Sequence, residues 1–441
     1  MANKNIQALV AQMEDSASRN RKIGKHWDND SPAAWLSRES RDAIDNKIAR
    51  LSVNFVRLAV NSLVERLSLR GWTSPGSNTI DTELIELGQK VGLAAKAETV
   101  HVDRALYGSS FATVWTTKDG ARPVLITDTG ATAAVDIDPA TGEVIEGVRL
   151  WRRGDTAHCV YFTPESVANY SADVLSGATI TAATEWKLLD KVKENPLQAV
   201  PIVPFTRKQS SLDVHGVSAV EDILDLSDAL AKVLADAMVS SEYYAKPRRY
   251  ATGLEIIEDE AGKPIDPFGK SRLLQSEDPD TKFGQLPASV PTGQTELIAT
   301  LTQQIGALTG LPAHYLGLHG DQQPSAEGVR AAETQLVMSA RTEQKYLDNP
   351  WSRVAALLLA AKHSGHPDDY PRVTQWENPE IKTPAQAADA AGKLREIGLP
   401  LETLLSDPLG YPAEDIADIV EAANRENLLA NVSLGGGQIG A

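Results

Sequence analysis

PSAEGVRAAETQLVMSARTEQKYLDNPWSRVAALLLAAKH, residues 324–363, holds the longest helical period in the chain. Val329, Ala332, Leu336, Val337, Ala340, Leu347, Trp351, Val354, Leu358 and Ala361 fall at the spacing that puts apolar side chains on one face of an α-helix. Ser325 is placed to cap its N-terminus, and Glu327 to meet the positive end of its dipole. A helix from Ser325 to His363 would run about 55–60 Å at a rise of 1.5 Å per residue. Pro350 has no N–H to donate and is expected to kink it.

Upstream, residues 297–320 contain no Asp, Glu, Lys or Arg, although 23% of the chain is charged. The gap covers the loop TGLPAHYLGLHG and the end of a predicted helix at 293–309, striped by Leu297, Ile298, Leu301, Ile305 and Leu308. Residues 250–290 are rich in turn formers and read as a small β-containing insert. Before it, 216–245 is predicted as a helix with Val220, Ile223, Leu224, Leu230, Val233, Leu234 and Met238 in its apolar stripe, stopped by Pro247. Glu221, Asp225, Asp228 and Asp236 flank that stripe, with Lys232 the basic interruption. Downstream, short helices are predicted at 385–397 and 412–429, with 11 acidic against 4 basic residues from Trp376 to Ala430. The terminal LGGGQIGA reads as disordered.

The first hundred residues read as helical. Ile6, Leu9, Val10 and Met13 form one stripe, and Val53, Val56, Val60, Leu63, Val64 and Leu67 a second that Gly71 ends. From about residue 101 the pattern turns to short β-branched segments. Asp119-Gly120 joins FATVWTT to PVLIT, and Asp138-Pro139-Ala140-Thr141-Gly142 joins TAAVDI to EVIEGVRLWRR, which predicts two hairpins. Strand character ends near VPIVPF, where Pro201 and Pro204 argue for an edge or a linker rather than a central strand. The fold class is therefore α+β, mainly helical, in a chain of 441 residues that is long for one domain.

Charge and composition exclude several functions. With 43 Lys and Arg against 59 Asp and Glu the formal net charge is −16, which opposes static binding to nucleic acid or to an anionic membrane. Cys159 is the single cysteine, so neither a disulfide nor a cysteine metal cluster can form within the chain. The longest apolar run, VAALLLAA at 354–361, is too short to span a bilayer, and MANKNIQALVAQMED has no signal-peptide pattern, so a soluble cytosolic chain is expected.

No local motif argues for an enzyme. Gly269-Lys270-Ser271 ends like a phosphate loop, but Pro264 stands where the first glycine belongs. His363, His366, Asp368 and Asp369 could hold a metal, yet HSGHPDDYP reads more simply as a helix stop followed by a turn. Asp136, Asp138 and Glu143 are explained by a hairpin turn without calcium. Tyr107-Gly108-Ser109-Ser110 lacks the trailing glycine of a nucleophile elbow, and adjacent His158 and Cys159 face opposite ways on a strand. Arg149, Arg152 and Arg153, and Lys246, Arg248 and Arg249, are small clusters better suited to interfaces or caps than to DNA. Neither a cofactor nor a catalytic or metal residue is expected.

A resemblance emerges from ordered segments. GVSAVEDILDLSDALAKVLADAMVSSEYYAKPRRYATG, beginning at Gly216, is followed by KFGQLPAS, GLPAHYLGL and PSAEGVRAAETQLVMSARTEQKYLDNPWSRV, with NFVRLAVNSLVERLSLRGW nearer the N-terminus. Together they resemble tailed-bacteriophage portal proteins of the Gp6-like, SPP1-type family, most closely those of actinobacteriophages. The resemblance implies a portal-type subunit with wing, stem, clip and crown regions arranged in a dodecameric ring at a capsid vertex, through which double-stranded DNA is packaged and ejected. The implied layout is an N-terminal wing at 1–215, a first stem helix at 216–249 and a clip at 250–290. A second stem helix follows at 291–309, a tunnel loop at 310–324, a long kinked wing helix at 325–375, a crown at 376–430 and a tail at 431–441.

On that layout His314, Tyr315, Leu316, Leu318 and His319 face DNA. Glu221, Asp225, Asp228, Asp236, Val220, Leu224, Leu234 and Met238 line the channel or the contact between subunits. Lys263, Asp266, Lys270 and Arg272 meet terminase or an adaptor. The implied partners are further copies of the chain, the terminase large subunit, major capsid and scaffolding proteins, head-completion and adaptor proteins, and passing DNA, with no membrane. The implied location is the virion, after assembly in the host cytoplasm. A loop without Lys or Arg and an acidic stem suit DNA that must slide, because each Lys or Arg contact to phosphate would add affinity. A ring-forming connector without DNA passage, or a multidomain α+β hydrolase, remain the alternative readings.

Overall fold

The computed structural model describes residues 2–30, 53–77, 79–117, 122–175, 177–210, 216–245, 249–253, 279–285, 292–318, 325–380, 384–411, 415–416 and 418–425. The chain divides into two compact units. One comprises Met1–Asp28, Phe55–Leu224 and Gly306–Ala441, and the other Asn29–Asn54 and Asp225–Ile305. Among the described residues helix accounts for about half and strand for about a fifth, in keeping with a mainly helical α+β class.

In the first unit, α1 (Ala2–Trp27) buries Ile6, Leu9, Val10 and Met13, as their spacing predicts. They pack on Val148, Leu150, Cys159 and Tyr170 of an antiparallel sheet. The second predicted helix is shorter than its stripe. α2 spans Phe55–Val64, Val53 is exposed, and Gly71 lies inside β1 (Leu69–Thr73) rather than ending a helix. Gly71 has φ +148°, and a Cβ there would come within 2.9 Å of the Ile80 side chain, so the residue serves a bulged strand. α3 (Thr82–Val91) is capped by the Asp81 carboxylate, and α4 (Leu93–Tyr107) continues past the predicted change at residue 101. Val100, His101, Ala105 and Leu106 are buried along α4, so tertiary packing overrides the β-leaning composition there.

Both predicted hairpins form. β2 (Ser109–Thr116) pairs with β3 (Pro123–Thr129), and β4 (Ala133–Ile137) with β5 (Val144–Arg153). β6 (Thr156–Phe162), β7 (Ser166–Asp173), β8 (Lys187–Leu188) and β9 (Lys193–Glu194) complete the larger sheet, ordered β4-β5-β6-β7-β8 with β9 also on β7. β10 (Ile202–Thr206) is an edge strand of the order β10-β2-β3, as Pro201 and Pro204 require.

The helix predicted from residue 216 begins later. A 3-10 turn covers Glu221–Ile223, and α5 spans Leu224–Ala245. Gly216 is the reason: at φ +78° its backbone lies against that of Gly108, whose carbonyl oxygen would sit 2.1 Å from an added Cβ. The Val217 and Ala219 amides donate to the Arg207 and Ala105 carbonyls at 2.8 Å, which ties this stretch to α4 and to the residue that follows β10.

In the second unit, β11 (Arg249–Thr252) pairs antiparallel with β12 (Lys282–Gln285). α6 (Thr292–Thr309) has a Gln294 side-chain amide that donates to Ser240 Oγ of α5 at 3.2 Å, and its last residues, from Gly306, belong to the first unit.

Back in the first unit, α7 (Ala326–His363) is the expected long helix. Ser325 Oγ accepts from the Gly328 amide at 3.1 Å, the helix runs through Pro350, and Ser364 ends it at φ +56°. β13 (Val373–Trp376) pairs antiparallel with β1, a pairing the sequence did not predict. α8 (Pro384–Glu396) and α9 (Leu401–Ser406) follow. Among the described residues, no helix is long and apolar enough to cross a membrane.

Candidate functional site

The loop between α6 and α7 starts at Gly310. Pro312 leads into a 3-10 turn at Ala313–Leu316, which closes through hydrogen bonds from the Tyr315 amide to the Pro312 carbonyl and from the Leu318 amide to the Ala313 carbonyl, both 3.0 Å. Gly317 ends the turn in the left-handed region at φ +71°, where a Cβ would be strained. Tyr315 is half-buried and packs against the main core, with His314 edge-on to its ring at 4.8 Å. Leu316 and Leu318 are half-buried, and His319 lies outside the described residues.

From Gly310 to Gly320 the loop has no charged residue of its own, but its surroundings are charged. The Tyr315 hydroxyl accepts from Arg66 at 3.2 Å and donates to Glu333 at 3.3 Å. Arg66 and Glu333 form a buried ion pair at 3.2 Å, and His314 Nε2 lies 3.7 Å from the same carboxylate. Arg66 Nη1 also donates to the Pro379 carbonyl at 2.8 Å. A gap in charge along the sequence is thus not a gap in space.

The root of α5 is held by a second ionic group. Glu343, on α7, accepts from Arg104 and from Arg207 Nε at 2.8 Å, and Arg207 Nη1 donates on to the Val217 carbonyl at 3.3 Å. Burial favours the neutral acid at Glu343, but the two guanidiniums outweigh it and hold the pKa below the usual glutamate value. Beside this group the Trp351 indole N–H donates to His101 Nε2 at 2.9 Å. Burial, reinforced by the nearby Arg104 charge, lowers His101 to about 3, so the ring is neutral and can accept.

The predicted α5 residues separate into two groups. Val220 and Leu224 are buried in the first unit, with Glu221 in the 3-10 turn. Further along, Asp225 is exposed, Asp228, Leu234 and Asp236 are half-buried, Lys232 pairs with Asp236, and Met238 is 42% exposed. Lys263, Asp266, Lys270 and Arg272 lie outside the described residues.

The residues weighed for catalysis or metal have other partners. Lys362 ion-pairs with Glu83, His363 Nε2 lies 2.8 Å from the same carboxylate, and His366 caps the turn Pro367–Asp369 after α7. The Asp138 carboxylate accepts from the Ala140 amide at 2.8 Å within the hairpin turn. Cys159 is fully buried with its thiol pKa pushed up by burial, while His158 stacks on Trp151 across the strands. Ser110 donates to the Val100 carbonyl. Arg149 pairs with Asp128, and Arg152 caps the Leu175 and Ala178 carbonyls. Among the described residues, no group of three His, Cys, Asp or Glu side chains is placed to hold a metal.

Arg66, Glu333, Arg104, Arg207 and Glu343 were not singled out by sequence. Their side-chain partners lie 18 to 267 residues away, where local spacing carries no signal.

A family model described as "Phage portal protein, SPP1 Gp6-like" matches residues 9–427. The chain belongs to the phage portal protein family. The portal protein of Mycobacterium phage L5 is 26% identical over 387 residues, covering 82% of this chain and 76% of the relative. That of Mycobacterium phage D29 is 26% identical over 383 residues, covering 81% and 76%. Among solved structures, a chain from the neck of an empty gene transfer agent particle matches with a TM-score of 0.50 at 12% identity, over 85% of this chain and 94% of that one. This last likeness is one of fold. Membership of the portal family makes the chain a structural protein rather than an enzyme.

Proposed function

We propose that copies of this chain assemble into a dodecameric ring at a phage capsid vertex, through which double-stranded DNA is packaged by terminase and later ejected. The family match across residues 9–427 carries the reading. In it α5 and α6 form the stem, residues 250–290 the clip, 310–324 the tunnel loop, α7 the wing helix and 376–430 the crown. The terminase large subunit, capsid and scaffolding proteins, and head-completion proteins are the partners, and the ring is assembled in the host cytoplasm before residing in the virion.

Two features support this use. The second unit covers much of the proposed stem and clip, and its helices leave Met238 and Leu297 42% and 46% exposed. Such apolar side chains are suited to burial against a neighbouring copy. The acidic residues along α5 suit a wall past which a polyanion slides. Electron microscopy of the purified protein tests the ring: annular particles with a central hole are expected, and a protein that stays monomeric at high concentration overturns the reading.

A further inference from the structure

We propose that Arg66 is a positioning residue for the loop between α6 and α7, fixing the backbone from Ala313 to Leu316 to both α7 and the segment that opens the C-terminal region. The proposal rests on the reading of that loop as DNA-facing.

The geometry is a fork with three ends. One Arg66 nitrogen donates to the Pro379 carbonyl at 2.8 Å; the other reaches the Tyr315 hydroxyl and a Glu333 carboxylate oxygen, each at 3.2 Å. The Tyr315 hydroxyl accepts from the arginine and donates to the second Glu333 oxygen, so both of its principal hydrogen-bonding roles are used. The Arg66 and Glu333 side chains are 6% and 12% exposed. Releasing any member would leave a buried charge short of a partner, which makes the group act as a set. Lysine could keep the charge but not the planar fork.

The position of His314, Tyr315 and Leu316 is therefore set by a side chain on the turn after α2, some 250 residues earlier in the chain. The same side chain holds the backbone at Pro379, so the loop and the start of the acidic C-terminal region share one anchor.

The test uses assembled full-length rings carrying Tyr315→Phe, Arg66→Gln or Arg66→Lys. Tyr315→Phe keeps the ring packing and removes only the hydroxyl, which guards against a variant that fails to fold. Amide hydrogen exchange at Tyr315, Gly317 and Leu318 is expected to accelerate roughly five- to tenfold in all three, as loss of about one hydrogen bond's worth of local stability requires. Amides of α3 and α4 should be unchanged, and DNA packaging in vitro should fall while ring formation persists. Unchanged exchange in the loop of well-formed rings overturns the proposal, as does full rescue by Arg66→Lys. Accelerated exchange with undiminished packaging upholds the anchor and overturns the loop's assigned place in DNA passage.

Discussion

The C-terminal half of α7 and the length of α5 make a useful contrast. From Leu347 to Ala360 the apolar side chains of α7 are almost all sealed: Leu347, Trp351, Val354, Leu357 and Leu358 have no exposure, and they pack on Phe205, Val114 and Leu125 of the three-stranded sheet and on Trp72. Along α5, only Leu224, Leu230, Ala235 and Val239 are buried among the residues described, while Met238 stays open. One helix completes its burial within its own chain. The other leaves part of its apolar surface open, and a helix needs tertiary packing more than propensity to be stable.

Three substitutions would break or sharpen that contrast. Trp351→Ala should have the largest effect on folding, about 5 kcal/mol by chemical denaturation, because it opens a cavity in the core and leaves His101 without its donor. Glu343→Gln should cost about 3 kcal/mol at neutral pH, since two buried guanidiniums lose their counter-charge. Because the folded pKa of Glu343 is held below 4.5, its contribution is fully present above that value and disappears as the pH falls through the lower, folded one. Unfolding curves from pH 7 down to about 3 should therefore fall less steeply for Glu343→Gln than for the parent. Met238→Ser should change unfolding of the chain by no more than about 0.5 kcal/mol. It should still weaken ring assembly in sedimentation experiments. An equal loss of folding stability from Met238→Ser and Trp351→Ala would abolish the distinction between the two helices.

Much of this was legible because it was local. The apolar period of α7, its Ser325 cap, the Asp138 turn and the edge prolines at 201 and 204 each act within a few residues, and each has its predicted consequence. The start of α5 was not legible. Gly216 sits in a plausible helical run, and only its contact with Gly108 shows why the backbone cannot yet coil. Strands β1 and β13 escaped for a related reason: LRGWT and VTQW are too short for a periodic signal, and each finds its partner far along the chain. The candidate site divides in the same way. An absence of charge from 297 to 320 could be counted, but the Arg66 and Glu333 side chains that surround part of the loop could not be inferred from spacing.

The β1–β13 ladder also bears on when the protein can fold. Thr73 and Gln375 meet across 302 residues, so most of the polypeptide must leave the ribosome before this pair can close. Contacts of such long range form late, and they complete the packing around Trp72 and the sealed half of α7. A nascent chain therefore cannot finish its first unit early.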